Sequence, residues 1–172
     1  MKVFFTADTH FNHGQIIEYC DRPFSSVKVM NEALIARWNS RVGKKDFIYH
    51  LGDFGFGDGE EIVRQLNGFK VLILGSHDRE EKWMAGHFIQ VTQIKELRVD
   101  GQTIIMSHCA MRMWEKKHYG AWHLYGHSHG TIPSFGKSFD VGVDTHDFYP
   151  YSWDEVKRKM ASLRDVVDIG GR

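Results

Sequence analysis

Short apolar runs of strand length recur along the chain, and two segments with helical periodicity lie between them. One of these segments, residues 27–42, places Met30, Leu34, Ile35 and Trp38 on a single helical face. Strands that alternate with helices predict an α/β fold. The runs rich in β-branched and aromatic residues are 3–6, 47–51, 71–74, 103–106, 122–125 and 139–143, and the second helical segment is 60–66.

Two local patterns refine this prediction. Residues 88–106 place two strand-like runs around Asp100-Gly101, which is a hairpin signal, so we expect part of the sheet structure to be antiparallel. Ser152-Trp153-Asp154-Glu155 is a capping box and predicts a helix that runs to about Val167. The chain shows no internal repeat and no linker-like segment, so residues 1–172 are expected to form one domain with a pair of mixed sheets.

The charge balance and the cysteine and histidine counts restrict the functions that the protein can have. The 22 Lys and Arg residues balance the 22 Asp and Glu residues, which argues against a binder of nucleic acid or membrane surfaces through bulk positive charge. The two cysteines, Cys20 and Cys109, and the lack of a long apolar stretch favour a reducing, cytoplasmic setting. Histidine is unusually frequent, with 11 residues, and this is the first indication of metal binding.

The strongest signal is the way in which the strand-like runs end. Turns use Gly, Asn, Asp and Pro but have no need for repeated histidines, so these endings favour a metal centre over ordinary turn chemistry. In open α/β folds, sites gather at the carboxyl ends of strands. The five endings are Asp8-Thr9-His10, Gly52-Asp53, Gly75-Ser76-His77-Asp78, Ser107-His108 and Gly126-His127-Ser128-His129.

In this order the five blocks resemble those of the calcineurin-like metallophosphoesterases, across roughly residues 3–145. The resemblance implies an α/β fold of two packed mixed β-sheets flanked by helices, a four-layer αββα sandwich. It also implies two divalent ions, Mn first, with Fe, Zn, Co or Ni as alternatives. The implied ligands are Asp8, His10 and His129 for one ion, His108, His127 and Ser76 for the other, and Asp53 as the bridge.

The third block departs from the family pattern at Ser76, where the family has Asn. A serine hydroxyl is a poorer neutral ligand than an amide carbonyl, which leaves the second centre weak, water-linked or absent. The resemblance further implies that His77 is the catalytic histidine and that Asp78 is its orienting partner. His77 would then act as general acid, while a dimetal-bound hydroxide attacks a phosphodiester or phosphomonoester.

Three further residues are candidates for substrate contact. Asn12 and His13 follow the first block closely enough to border the site, although Asn12 could instead cap a short helix near Gly14. Arg112 offers a bidentate fork for phosphate, within a 112–118 segment that also fits a solvated basic loop. A nucleotide or nucleic acid is expected only as substrate, no membrane partner is expected, and the sequence leaves the oligomeric state open.

Two other function classes remain open at this point. A metal amidohydrolase also uses His and Asp, but there the His-x-His pattern follows the first strand, whereas here it comes late. A non-catalytic protein-binding scaffold with a degraded metal site would explain Ser76 but not the retention of His77-Asp78. The glycine-rich segment 53–59 lacks the P-loop pattern and is interpreted as a turn, with Asp58 capping the next helix.

Overall fold

A computed structural model describes residues 1–166 of the chain. The strands are β1 (Val3–Thr6), β2 (Phe47–His50), β3 (Phe69–Ile73), β4 (Phe88–Thr92), β5 (Ile94–Val99), β6 (Gln102–Ser107), β7 (Trp122–Tyr125), β8 (Ser138–Asp140) and β9 (Tyr151–Ser152). The helices are α1 (Ile16–Tyr19), α2 (Val27–Arg41), α3 (Gly59–Gln65), α4 (Met84–His87) and α5 (Trp153–Ser162), with short 3-10 helices at Lys117–Tyr119 and Val143–Thr145.

The strands form two mixed sheets. The first sheet has the order β4-β3-β2-β1-β9, in which β9 is antiparallel to β1 and the other neighbours are parallel. The second sheet has the order β5-β6-β7-β8, in which β5 and β6 form the hairpin predicted around Asp100-Gly101 and the remaining pairs are parallel. The predicted α/β fold with two mixed sheets is therefore confirmed.

Side-chain alternation divides the first sheet between two cores. Phe4 and Ile48 face α2, where Met30, Leu34 and Trp38 are buried as the helical period predicts. Alternate positions on the same strands face the second sheet and α5, and form a separate core with it. This inner core joins Phe5, Tyr49, Val71 and Ile73 of the first sheet to Ile104, Met106, Leu124 and Phe139 of the second.

The outer face of the second sheet is covered by the segment between β6 and β7. Trp114 is buried there against Ile105 and Ala121, and its indole N–H donates to the carbonyl of Ala121 at 2.8 Å. Segment 112–118 is therefore packed on the sheet through Trp114 rather than fully solvated. This covering segment contains the 3-10 turn Lys117–Tyr119.

Helix α5 begins at the predicted capping box but ends earlier than predicted. The hydroxyl of Ser152 accepts from the Glu155 N–H, and the Glu155 carboxylate accepts from the Ser152 N–H. The helix ends at Ser162, since Leu163 has an extended backbone with ψ of 140°. Lys137 accounts for this end, because its ammonium donates to the carbonyls of Met160 and Leu163. Val167 lies outside the described residues.

Glu155→Gln is expected to lower the free energy of unfolding at pH 7 by about 1 kcal/mol, because the carboxylate caps α5 and pairs with Arg41. Burial raises the pKa of Glu155, but hydrogen bonds from Ser152 and Arg41 outweigh it and lower this pKa to about 2. The stabilisation is therefore complete above pH 4.5, the ordinary value, and disappears as the pH falls toward 2.

Urea denaturation of the Glu155→Gln protein at several pH values checks this prediction. Asp154→Asn is the matched control, because that carboxylate lies in the same helical turn but is largely exposed. A difference between wild type and Glu155→Gln that stays constant from pH 7 to pH 2.5 would contradict the prediction.

The sequence prediction lacked two strands of the first sheet, namely β9, which immediately precedes α5, and β4. Residues 88–106 were interpreted as one hairpin, but β4 pairs in parallel with β3 in the first sheet, and only β5 and β6 form the hairpin of the second. The chain thus passes from one sheet to the other within two residues of Thr92, where no Gly or Pro marks the change. Among the described residues, no helix has both the length and the apolar character needed to cross a membrane.

Candidate metal centre

The five strand-end blocks meet at one edge of the two sheets. β1, β2 and β3 are parallel, as are β6 and β7, so within each sheet the carboxyl ends point the same way. The backbone is left-handed at several of these ends, a conformation that non-glycine residues rarely adopt and that collects at functional sites. The residues with positive φ in these blocks are Asp8, His10, Asp53, His127 and His129.

Glycines allow the blocks to approach one another. A Cβ on Gly75 would lie 2.3 Å from the Asp53 backbone nitrogen, and one on Gly126 would lie 2.6 Å from Asp8 Oδ2. Either distance is far below contact, so a side chain at these positions would push two blocks apart. The glycines that precede the candidate ligands are thus required by packing.

Asp8, His10 and His129 form the first group of candidate ligands. One donor atom from each lies within 4.8 Å of the others. Both ring nitrogens of His10 are buried, and neither has a hydrogen-bond partner among the described residues. Buried polar atoms are almost always satisfied, so an unpartnered imidazole facing a carboxylate and a second imidazole fits a cation between them.

Asp53 lies between this group and a second one. Its Oδ2 is 3.6 Å from His10 Nε2 and 3.4 Å from His108 Nε2, so one carboxylate oxygen faces both groups. Its Oδ1 accepts the N–H of His77 at 2.9 Å, which fixes the carboxylate orientation. This is the position that a bridging carboxylate requires.

His108 and His127 form the second group. The Nδ1 of His108 lies 2.8 Å from the carbonyl of Leu51, so this nitrogen donates and Nε2 is free to act as a ligand. That Nε2 is 3.1 Å from Nδ1 of His127. Ser76, expected to join this pair, lies in the exposed turn after β3 and lines a cleft with His77 and Phe56.

His77 and Asp78 occupy different positions relative to the candidate ligands. The His77 ring is exposed and borders the cleft that contains His10, Asp53 and His129. The Asp78 carboxylate accepts three backbone N–H groups, from Asp53, Phe54 and Gly75, at 2.8–2.9 Å. Asp78 therefore connects the loop after β2 to the loop after β3. It affects the position of His77 through the loop after β3, which carries both residues.

The three candidate substrate residues are not equally close to the centre. His13 lines the same cleft as His10 and packs on Phe56 with a centroid distance of 4.5 Å. Asn12 is exposed and hydrogen bonds to Asn31 and Phe56, while α1 begins after Gln15, so Asn12 does not cap that helix. The guanidinium of Arg112 lies over the ring of Phe135 at 5.3 Å, and Arg112 is not among the residues that line the cleft of His10 and His13.

Two further residues hold the first group, and sequence reasoning missed both. The Arg22 guanidinium is buried and donates to both carboxylate oxygens of Asp144 at 2.8 Å, and to the Asp8 carbonyl at 2.7 Å. Asp144 Oδ2 in turn accepts from His129 Nδ1 at 2.7 Å, which leaves Nε2 of His129 available to a cation. The signal was present, since Asp144 follows a sixth strand-like run.

Asp144→Asn is expected to weaken metal affinity about 10- to 100-fold, because the neutral amide no longer fixes the His129 ring and leaves Arg22 without its anion. Isothermal titration of metal-stripped protein with Mn checks this. Asp147→Asn, a change at an exposed carboxylate nearby in the chain, is the control. An unchanged affinity in Asp144→Asn would show that His129 is positioned by other contacts.

Burial and neighbouring charges shift the pKa values in the metal-free centre. Burial raises the pKa of Asp8 to about 7 and lowers that of His10 to about 3. Burial also lowers the pKa of His108, but its hydrogen bond to Asp53 and the charge of that carboxylate outweigh burial and raise it to about 9. Without metal the site therefore carries protons at pH 7, and a cation must displace them.

Two histidines outside the five blocks, His50 and His123, have structural contacts. His50 is fully buried and its Nε2 lies 2.9 Å from the Thr9 hydroxyl, behind the first block. His123 Nδ1 lies 3.0 Å from the Ile105 carbonyl, and its Nε2 accepts the Met111 N–H. The ring of His123 stacks on Trp114, so it belongs to the covered outer face of the second sheet.

The chain is similar to other proteins over nearly its whole length. The chain is 32% identical to the uncharacterized protein MJ1445 of Methanocaldococcus jannaschii, covering 98% of both chains, and 25% identical to the Gene 66 protein of Mycobacterium phage D29, covering 95% of this chain and 98% of that protein. The solved structure of AQ665 from Aquifex aeolicus, a protein of unknown function, aligns with a TM-score of 0.74 and 22% identity over 92% of this chain and 98% of that one. No family model matches the chain.

The match to MJ1445 decides the family, because its 32% identity extends over 98% of both chains. MJ1445 is a member of the same family as this chain. The relatives reported above carry no assigned activity, so membership alone does not name a substrate.

Proposed function

We propose that this protein is a calcineurin-like metallophosphoesterase, because its five strand-end blocks follow the order of that family and meet at one edge of the two sheets. We further propose that it is a dinuclear metal-dependent hydrolase of phosphodiesters or phosphomonoesters. The observation that supports the proposal is the placement of Asp53 Oδ2 between His10 and His108, each of which belongs to a separate ligand group. Two divalent ions bound there would supply an activated water and neutralise the phosphate oxygens. The proposed ligands are Asp8, His10 and His129 for one ion, His108 and His127 for the other, and Asp53 for both.

Asp53, His77 and Asp78 are proposed to have different roles in the reaction. Asp53 orients the centre and, through the His77 N–H, also fixes the loop that carries His77. His77 is exposed at the cleft, and we assign it the role of general acid that gives a proton to the leaving oxygen. Asp78 keeps this loop against the β2 loop through its three backbone contacts, and acts as a positioning residue.

Aromatic rings beside the centre favour a substrate with a flat group. Phe56 lies between His13 and His77, with centroid distances of 4.5 Å and 5.4 Å, and its side chain is partly exposed. Tyr19 borders the same cleft and is exposed. A nucleotide or nucleic-acid end would present phosphate to the metals and a base to these rings. Arg112 is proposed to contact the phosphate of the substrate, and no other role is assigned to it.

A non-catalytic scaffold is the second candidate function, and Ser76 is the observation that favours it. A degraded site would not need the Arg22–Asp144–His129 chain of contacts, which orients one imidazole toward a cation. We therefore favour the enzyme. The free thiols of Cys20 and Cys109 suit the reducing cytoplasmic setting, which is part of the proposal.

Hydrolysis of bis(p-nitrophenyl) phosphate by metal-stripped protein, with and without added Mn, tests the proposal. Mn is expected to restore turnover, and Ser76→Asn is expected to raise it several-fold at limiting Mn by adding an amide oxygen to the second group. Ser40→Asn, at an exposed position of α2 that lines neither the cleft of Ser76 nor that of His10, is the matched control. If neither protein hydrolyses this diester or a monoester with any divalent metal, the enzyme proposal fails and the scaffold becomes the better account.

A further inference from the structure

One cysteine lies with the second ligand group. The Cys109 thiol and ring nitrogens of His108 and His127 all lie within 4.8 Å of one another. Cys109 is exposed, but the turn that carries it is fixed, because the Ser107 hydroxyl donates to the Cys109 carbonyl at 2.8 Å. The thiol therefore stands beside two imidazoles in a defined turn.

This group is short of donors if Ser76 does not contribute. Apart from the bridging Asp53, His108 and His127 supply only two nitrogens, whereas protein-bound zinc commonly has four ligands. Zn–S and Zn–N distances of about 2.3 Å and 2.0 Å put ligand atoms about 3.5 Å apart around one ion. A small rotation of the Cys109 side chain would bring the thiol into such a set.

The unpartnered ring of His10 independently supports cation binding in this region. His10 Nε2 is buried without a hydrogen-bond partner among the described residues, and it faces the Asp53 oxygen that also faces His108. The Leu51 carbonyl accepts from His108 Nδ1, which directs the other ring nitrogen toward His127. Cys109 is thus next to an oriented ligand.

We propose that the Cys109 thiolate is a ligand of the second metal ion, in the role that Ser76 fills poorly, and that this centre consequently prefers zinc or cobalt to manganese. Thiolates are soft ligands that favour these ions. The thiol releases its proton to solvent on binding, and no oxidation or reduction takes place. The inference rests on the proposed dinuclear site but concerns the ligand set and the metal preference.

Cobalt substitution tests the ligand directly, without reference to activity. Full-length metal-stripped protein is titrated with Co²⁺, and the near-ultraviolet absorption of sulfur-to-cobalt charge transfer is recorded. Wild type is expected to develop the band, and Cys109→Ser is expected to lose it. Cys20→Ser should keep it, which makes this variant the matched control, because Cys20 lies with His129 and Asp144 beside the first group.

A measurement on the wild-type protein alone tests the inference even if Cys109→Ser folds poorly, and a competition titration adds to it if the variant folds. Zinc is expected to protect Cys109 of the wild-type protein from iodoacetamide, as mass spectrometry of the labelled peptide would show. In competition titrations, Cys109→Ser is expected to lower zinc affinity at the second centre about 10- to 100-fold while changing manganese affinity much less.

The outcomes separate this inference from the proposed function. The thiolate ligand is overturned if wild type binds cobalt without developing the charge-transfer band, or if the band survives in Cys109→Ser. Metal-dependent hydrolysis by the same preparation would nevertheless leave the phosphoesterase proposal standing. Equal labelling of Cys109 with and without zinc also overturns the ligand. Absence of both bound metal and hydrolysis overturns the two proposals together.

Discussion

Replacement of Asp53 with Asn is expected to lower metal-dependent turnover of bis(p-nitrophenyl) phosphate by about a thousandfold, roughly 4 kcal/mol in activation free energy. Asp53 Oδ2 lies within 3.6 Å of ligand nitrogens in both groups, so a single change removes the negative charge that both ions share. An amide retains one oxygen but places an N–H₂ group against His77 or the centre.

Steady-state kinetics at saturating Mn measures this effect. Asp154→Asn is the matched control, because it removes the same charge from an exposed position on α5 and should leave turnover unchanged. Asp53 also holds the His77 loop, so circular dichroism should confirm that the variant keeps its fold. Turnover within tenfold of wild type in a folded Asp53→Asn protein would show that the two groups do not act as one centre.

The second large effect concerns stability rather than rate. Asp8→Asn is expected to make the metal-free protein more stable than wild type above pH 7, by up to about 4 kcal/mol. Burial raises the pKa of Asp8 from 3.8 to about 7 in the folded chain. The favourable contribution of the protonated form is complete below pH 3.8 and is lost as the pH rises through 7, so wild type loses stability that the neutral variant keeps.

Metal should offset most of this difference. Wild type at pH 8 is expected to gain roughly 3 kcal/mol from Mn at a hundred times its dissociation constant, while the Asp8→Asn protein gains little. Thermal unfolding at pH 5 and pH 8, with and without Mn, measures both effects. A metal-free Asp8→Asn protein that is less stable than wild type at pH 8 would show that Asp8 is stabilised as a carboxylate by its neighbours.

Much of the fold could be predicted because strands and turns carry local signals. The apolar runs of β1 and β7 and the cap of α5 at Ser152 depend on a few adjacent residues. The separation of β4 from the hairpin was not local, since it depends on which sheet each strand joins. Likewise, the end of α5 depends on Lys137, 23 residues before Met160.

The candidate centre was predictable to the extent that its donors repeat at strand ends. Asp8, His10 and His129 stand out in sequence, and the structure brings them together. Arg22 did not stand out, because its role depends on a partner 122 residues away in Asp144. The contacts of Asp78 are to backbone N–H groups, which no side-chain motif reveals.

The number of metal ions per chain tests the central claim of a two-metal centre most directly. Metal-stripped protein is dialysed against excess Mn or Zn, freed of unbound ions, and analysed by inductively coupled plasma mass spectrometry. We predict two ions per chain for wild type and for Asp154→Asn, and no more than one for Asp53→Asn. Wild type that retains fewer than two ions, or Asp53→Asn that retains as many as wild type, would contradict the account.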